Sequence, residues 1–168
     1  MNEITEEKAD AYFAAGYRVF TQAGEVLLPA CGDAPVQRTA LITAYNPFGE
    51  QVLPSINQSN QEQLLTEIES RWNHLPAEGY DPSGQWTAEP SLLVIGISLD
   101  DALGLGRKYE QHAILYVDDS GHTNLYACDS NGAALKRLGF HERQTLKFKQ
   151  VRNEKLTMSL EEIRTELD

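Results

Sequence analysis

The stretch that decides the fold is "SLLVIGISLDDALGLGRKYE", Ser91 to Glu110. Its first seven residues, "SLLVIGI", are apolar on both faces, the pattern of a strand in the middle of a sheet that is covered on both sides. Ser98 with Asp101 three residues later is the S-x-x-D signature of a helix start, which predicts a helix from Leu99 to about Glu110. Gly104 and Gly106 each weaken that helix by about 1 kcal/mol relative to alanine, so either another backbone packs closely against it or it kinks.

Working outward, "ALITAYNPFGE" (Ala40–Glu50) begins as a buried strand and ends in Thr43, Asn46 and a proline, which burial alone does not require. The segment "PSINQSNQEQLLTEIESRW" then spaces Ile56, Leu64, Leu65, Ile68 and Trp72 along one helical face. Asn57, near its start, reads as a helix cap. Prolines and glycines punctuate "HLPAEGYDPSGQWTAEPS", an irregular hairpin with a Trp86-bearing strand ahead of the central one. On the N-terminal side, Thr5, Glu6 and Glu7 open a helix that stops near Gly16, and "YRVFT" and "EVLLP" form a hairpin. On the C-terminal side, "AILYVDDSGHTNLYACD" is two strands joined at Asp119, Ser120 and Gly121. An alternating strand "QTLKFKQ" and a capped helix "SLEEIRTELD" complete the chain.

The expected fold is therefore α+β over residues 1–168 as a single domain. Its sheet is mixed or antiparallel, with a βαββαβ-like core, flanking hairpins and a C-terminal helix. A three-stranded parallel βαβαβ core is the competing arrangement, because strands apolar on both faces alternate with helices.

Composition narrows the function. No apolar run reaches the ~18–20 residues of a membrane span, and the polar, acidic "MNEITEEKAD" has neither the basic head nor the apolar centre of a secretory signal, so a cytoplasmic protein without a membrane partner is expected. Cys31 and Cys128 have no CxxC spacing and are expected as buried free thiols. The net charge of −11 repels a phosphate backbone and argues against general nucleic-acid binding. That charge is uneven: residues 1–135 carry 6 Lys+Arg against 19 Asp+Glu, whereas 136–155 carry 7 against 2. The segment 136–168 is thus a basic stretch followed by the final helix.

Several chemistries lack their residues. His74, His112, His122 and His141 show neither HExxH nor paired Cys/His spacing, so no metal is expected, and no cofactor motif is present. "GLGRK" lacks the GK[ST] ending of a phosphate loop and lies inside a helical pattern. There is no GxSxG, and neither cysteine has a histidine or asparagine beside it. Asp118 and Asp119 are explained by turn chemistry.

What remains are polar residues at element ends: Thr43 and Asn46 after the first core strand, Asn57 at the next helix, Glu89 before the central strand, and Gln111 and His112 beyond the second helix. Mixed folds place ligands at such ends. In order, "ITAYNP", Asn57 seven residues before Leu64, "GYDPSGQWTAEPSLLVIGI" and "RKYEQHAI" resemble a bacterial family of small proteins, domain-of-unknown-function family 3293. The resemblance runs from about Tyr12 to Val117. It implies signature positions at Thr43, Asn46, Pro47, Asn57, Glu89, Pro90, Ser91, Gln111 and Ala113, and it brings no activity with it. Asn60 stands where a basic residue is usual and Tyr45 where tryptophan is frequent.

Three functions follow as expectations. The first is a non-catalytic domain, regulatory or binding, whose partner is a small polar ligand or another protein, with Asn46, Asn57, Glu89 and Gln111 meeting in one network and Glu89 accepting from the amides. The second is a small hydrolase or transferase with Glu89 as general base and His112 or Gln111 positioning substrate. The third is an acidic protein-interaction domain or a protein that imitates nucleic acid.

Overall fold

The computed structural model describes residues 4–129 and 132–135. Among these residues, three α-helices, α1 (Glu6–Ala14), α2 (Pro54–Glu69) and α3 (Leu99–Lys108), accompany eight strands. The strands are β1 (Gly16–Thr21), β2 (Gly24–Leu28), β3 (Gly32–Asp33), β4 (Thr39–Ile42), β5 (Asn73–Tyr80), β6 (Glu89–Ile95), β7 (Ala113–Val117) and β8 (His122–Ala127). They form one sheet in the order β2-β1-β5-β6-β4-β7-β8-β3, and every neighbouring pair is antiparallel.

Because β4 and β5 both pair with β6, they run parallel to each other across it, and α2 is their crossover. By the same logic β6 and β7 run parallel across β4, with α3 between them. These are two interlocked split β-α-β units, the βαββαβ core that the strand and helix pattern predicts. The parallel alternative is excluded. Its premise was apolar faces on both sides of the middle strands, and an antiparallel sheet shows the same feature when both of its faces are covered.

They are covered by different material. Alternate residues Ala40 and Ile42, Leu92 and Val94, and Ile114 and Tyr116 pack under α2 and α3 with Leu64, Ile68, Leu103 and Leu105. The intervening Leu41, Leu93, Leu115 and Leu125 face the other way, toward Phe13 and Ala15, which are buried at the end of α1 and just beyond it, and Val19, Val26 and Leu28 of the N-terminal hairpin. Eight flat strands would span roughly 34 Å at about 4.8 Å per pairing. Yet Val26 and Leu28, from the edge strand β2, share one cluster with Leu125 of β8 near the opposite edge. The sheet therefore curls, and its concave face holds α1.

Local chemistry matches the sequence at most element ends. Thr5 caps α1 by accepting from the Lys8 amide, and Ser98 caps α3 by accepting from Asp101. Asp118 accepts from the Ser120 amide, the Ser120 hydroxyl and the His122 amide, closing the β7–β8 turn. Cys31 and Cys128 are buried free thiols.

Four local expectations are corrected. Trp86 lies in the loop between β5 and β6, not on a strand. Helix α3 ends at Lys108, since Glu110 adopts a left-handed conformation with φ 57°. The apolar face of α2 does not include Ile56, which is 44% exposed. Leu53 and Pro54, not Asn57, open α2, and Asn57 is buried on the face that Leu64 and Ile68 continue. The expected strand and helix beyond residue 136, with the basic stretch, lie outside the described residues.

The two glycines of α3 turn out to be unlike. A Cβ on Gly106 would sit 2.5 Å from the Cys128 Sγ and 3.0 Å from Ile114 Cγ2, so a side chain, not another backbone, makes the close approach; a Cβ on Gly104 meets nothing within 4 Å. Gly104→Ala should accordingly stabilise the fold by about 0.5–1 kcal/mol, through helix propensity. Gly106→Ala should destabilise it by about 1–3 kcal/mol through overpacking. Urea unfolding of the two variants checks the pair, and equal effects would contradict the packing described.

Candidate functional site

The concave face is not filled evenly, and strand register explains where it opens. One row across the sheet is large: Leu93 pairs with Leu41, Leu41 with Leu115, and Leu115 with Leu125. The row beside it is small, with Ala77 opposite Ser91 and Ala113 opposite Ala127. The row beyond that brings Tyr17 opposite Gly79 and Gly79 opposite Glu89. With no side chain at Gly79, and small ones in the neighbouring row, a cavity of ≈ 400 Å³ opens between the sheet and α1. Leu41, Leu115 and Leu125 give it an apolar floor, Tyr12 and Ala15 form part of its wall, and Glu89 is its carboxylate.

The loop after β4 shapes the mouth. Thr43 donates to the Pro90 carbonyl at 2.7 Å and accepts from the Tyr45 amide at 3.1 Å, so its hydroxyl ties the strand end to β6. Gln61, from α2, accepts from the Ala44 amide at 2.9 Å. Asn46 then turns into the left-handed region (φ 49°), which asparagine tolerates better than most residues. Asn57 holds it there through two bonds: its Oδ1 accepts from the Asn46 amide at 2.7 Å, and its Nδ2 donates to Asn46 Oδ1 at 2.9 Å. The remaining Asn46 group, Nδ2, donates to Glu89 Oε1 at 2.7 Å. The proline that follows opens a single 3-10 turn, Pro47–Gly49.

A second left-handed residue, Phe48 (φ 55°), donates its amide to the carbonyl of a third, Glu110 (φ 57°), at 2.6 Å. Three such residues in two touching loops is backbone strain concentrated at the mouth, as functional sites often show. Gln111 braces the same junction, donating from Nε2 to the Tyr45 carbonyl at 3.0 Å and the Tyr109 carbonyl at 3.1 Å. Beside it, His112 Nε2 lies 2.8 Å from the Phe48 carbonyl, which also accepts from Lys8 Nζ at 3.0 Å.

Burial raises the pKa of Glu89 from its ordinary value, and the Asn46 hydrogen bond only partly offsets it. The phenols of Tyr12 and Tyr17 are pushed up as well. Burial is the main cause for both; Cys128 and then Glu89 add to it for Tyr12, and Tyr12 and then Glu89 for Tyr17. The cavity wall is thus neutral phenol against an acid that holds its proton more firmly than usual.

The expected network forms in part. Asn57, Asn46 and Glu89 are one connected chain, and Thr43 and Gln111 steady the loop that carries Asn46. Only Asn46 among the amides reaches Glu89, so the expectation that several amides converge on the carboxylate is corrected: Gln111 is committed to two carbonyls. Residues that sequence reading passed over also line the cavity, among them Lys8, Tyr12, Tyr17 and Gly79. Their only sequence signals are a four-residue spacing on α1 and a glycine inside a strand.

Two outcomes follow. Asn57→Ala removes the acceptor of a buried amide and should cost about 1–3 kcal/mol in chemical unfolding. Glu89 is a group whose native pKa is raised, so the native state binds more protons than the unfolded one. Its contribution is fully present below the unfolded pKa and is lost as pH rises through the native value. The stability of wild type relative to Glu89→Gln should therefore decline from the ordinary carboxylate range upward. A pH-independent difference between the two would contradict it.

No curated protein and no solved structure matches the chain. A family model does match, over residues 42–114, a narrower span than Tyr12 to Val117. The matched segment runs from the end of β4 through α2, β5, β6 and α3 into β7, and it contains Thr43, Asn46, Asn57, Glu89, Gln111 and His112. Over this segment, which carries most of the site, the chain is similar to the family described as protein of unknown function (DUF3293).

Proposed function

We propose that the concave-face cavity binds a small, largely apolar molecule through a hydrogen-bond donor directed at Glu89, and that the chain serves as a non-catalytic binding or regulatory domain. The observation that carries this reading is the state of Glu89. It lines a cavity of ≈ 400 Å³, and among the described residues Asn46 is its one hydrogen-bond donor, engaging Oε1. A site of that volume with an apolar floor and few polar groups has the ordinary form of a small-molecule pocket. The mouth is held in place before any ligand arrives, which reduces the ordering that binding would otherwise require. No helix among the described residues is long and apolar enough to cross a membrane.

A second reading, Glu89 as the general base of a small hydrolase or transferase, is favoured by its raised proton affinity. In that reading His112 is the positioning group, since the Gln111 amide is already taken.

Methyl NMR with a fragment library tests the binding reading. Fragments carrying an amine, amide or hydroxyl on an apolar body should shift Leu41, Leu115 and Leu125 together. Gly79→Leu should abolish the response, because a Cβ there meets Tyr17 at an ordinary 3.9 Å and a longer side chain extends into the cavity. Shifts that survive this substitution in a folded variant, or fragments that never move the three leucines, would count against it.

A further inference from the structure

We infer that the cavity's ligand is amphoteric: a donor such as an ammonium on Glu89 and an anion, such as a carboxylate, on Lys8 and His112, with an apolar body against the leucine floor. This rests on the binding reading above and adds the chemical class of the occupant.

Two opposite charges line the cavity without meeting. Lys8 and Glu89 both line it, yet no ion pair joins them, and among the described residues no carboxylate pairs with Lys8 at all. In a chain of net charge −11, a lysine with no acidic partner among the described residues is notable. Its ammonium donates to the Phe48 carbonyl and lies 2.9 Å from His112 Nε2, which contacts the same oxygen. Two nitrogens crowded beside one neutral acceptor leave donor capacity and positive charge uncompensated, and a charge-assisted bond to an anion would satisfy both.

Glu89 presents the opposite need. Asn46 occupies Oε1, and no donor among the described residues reaches Oε2. A carboxylate in such a partly buried position is stabilised by a cation far more than one in water. Leu41, Leu115 and Leu125 floor the same cavity and offer no polar group. A ligand with one charge would satisfy one end and leave the other as it is, whereas a zwitterion of suitable length would compensate both. The left-handed Phe48 matters here, because its carbonyl is what gathers Lys8 and His112 into one place.

Isothermal titration of the full chain with 6-aminohexanoate, 4-(aminomethyl)benzoate and phenylalanine tests the proposal. Each is compared with an amine and an acid bearing only one of its charges: hexylamine and hexanoate, benzylamine and benzoate, 2-phenylethylamine and 3-phenylpropanoate. At least one zwitterion should bind about tenfold or more tightly than both of its singly charged counterparts. Glu89→Gln should erase its advantage over the acid, and Lys8→Met its advantage over the amine. Singly charged compounds binding as tightly as the zwitterions, or advantages that survive both substitutions, would overturn the proposal. If those singly charged compounds still shift Leu41, Leu115 and Leu125, the cavity remains a binding site and only the two-charge class is wrong. If no compound shifts them, both readings fall.

Discussion

The reciprocal amide contact between Asn46 and Asn57 is the constraint on which the candidate site depends. A left-handed residue directly before a proline is not a resting state of an isolated peptide, and it persists where surrounding bonds over-determine it. Asn57 supplies two of those bonds from a buried position on α2, and α2 is fixed in turn by Leu64 and Ile68 against the sheet. The orientation of Asn46 Nδ2 toward Glu89 is therefore inherited from the packing of a helix on the far face. Helix packing on one side of the sheet is transmitted to a carboxylate on the other through three side chains.

The two faces divide the labour. On the convex side, α2 and α3 close tightly over alternate residues of the central strands, and Gly106 against Cys128 shows how little space is left. On the concave side, α1 is short, and the rows through Ala77, Ser91 and Gly79 leave a cavity among the described residues. The same backbone thus serves as a filled core and as a receptacle, and the difference lies in side-chain volume at a few positions. Gln61 and Thr43 stitch the seam between the two sides, which is why the strand named by "ALIT" ends in polar residues.

Much of the fold was legible because its signals are local. The cap at Ser98, the hairpin at Asp118 to Gly121 and the apolar run of β6 each depend on residues within a few positions of one another. The polar residues at element ends were legible too, and Thr43, Asn46, Asn57 and Glu89 do lie together. What the sequence could not show was register. Nothing in the sequence singles out Gly79 until it is placed between Tyr17 and Glu89 on neighbouring strands, or Lys8 until the chain brings it to Phe48 and His112. Asn57 was misread for a related reason: its position near a helix start suggests capping, but Leu53 and Pro54 already open the helix, which leaves the amide free to serve a distant loop.

The curl of the sheet has a mechanical consequence. Among the described residues its two border strands are β2 and β3, joined in the chain by Pro29, Ala30 and Cys31 alone, with Ala30 and Cys31 packed inside. That short bridge acts as a clasp across the ends of the curved sheet, so the girth of the receptacle is set covalently as well as by hydrogen bonds. The mouth, where α1 and the Asn46 loop meet, is braced separately by the bonds of Lys8 to Phe48 and of Asn57 to Asn46, so rim and body are fixed by independent constraints.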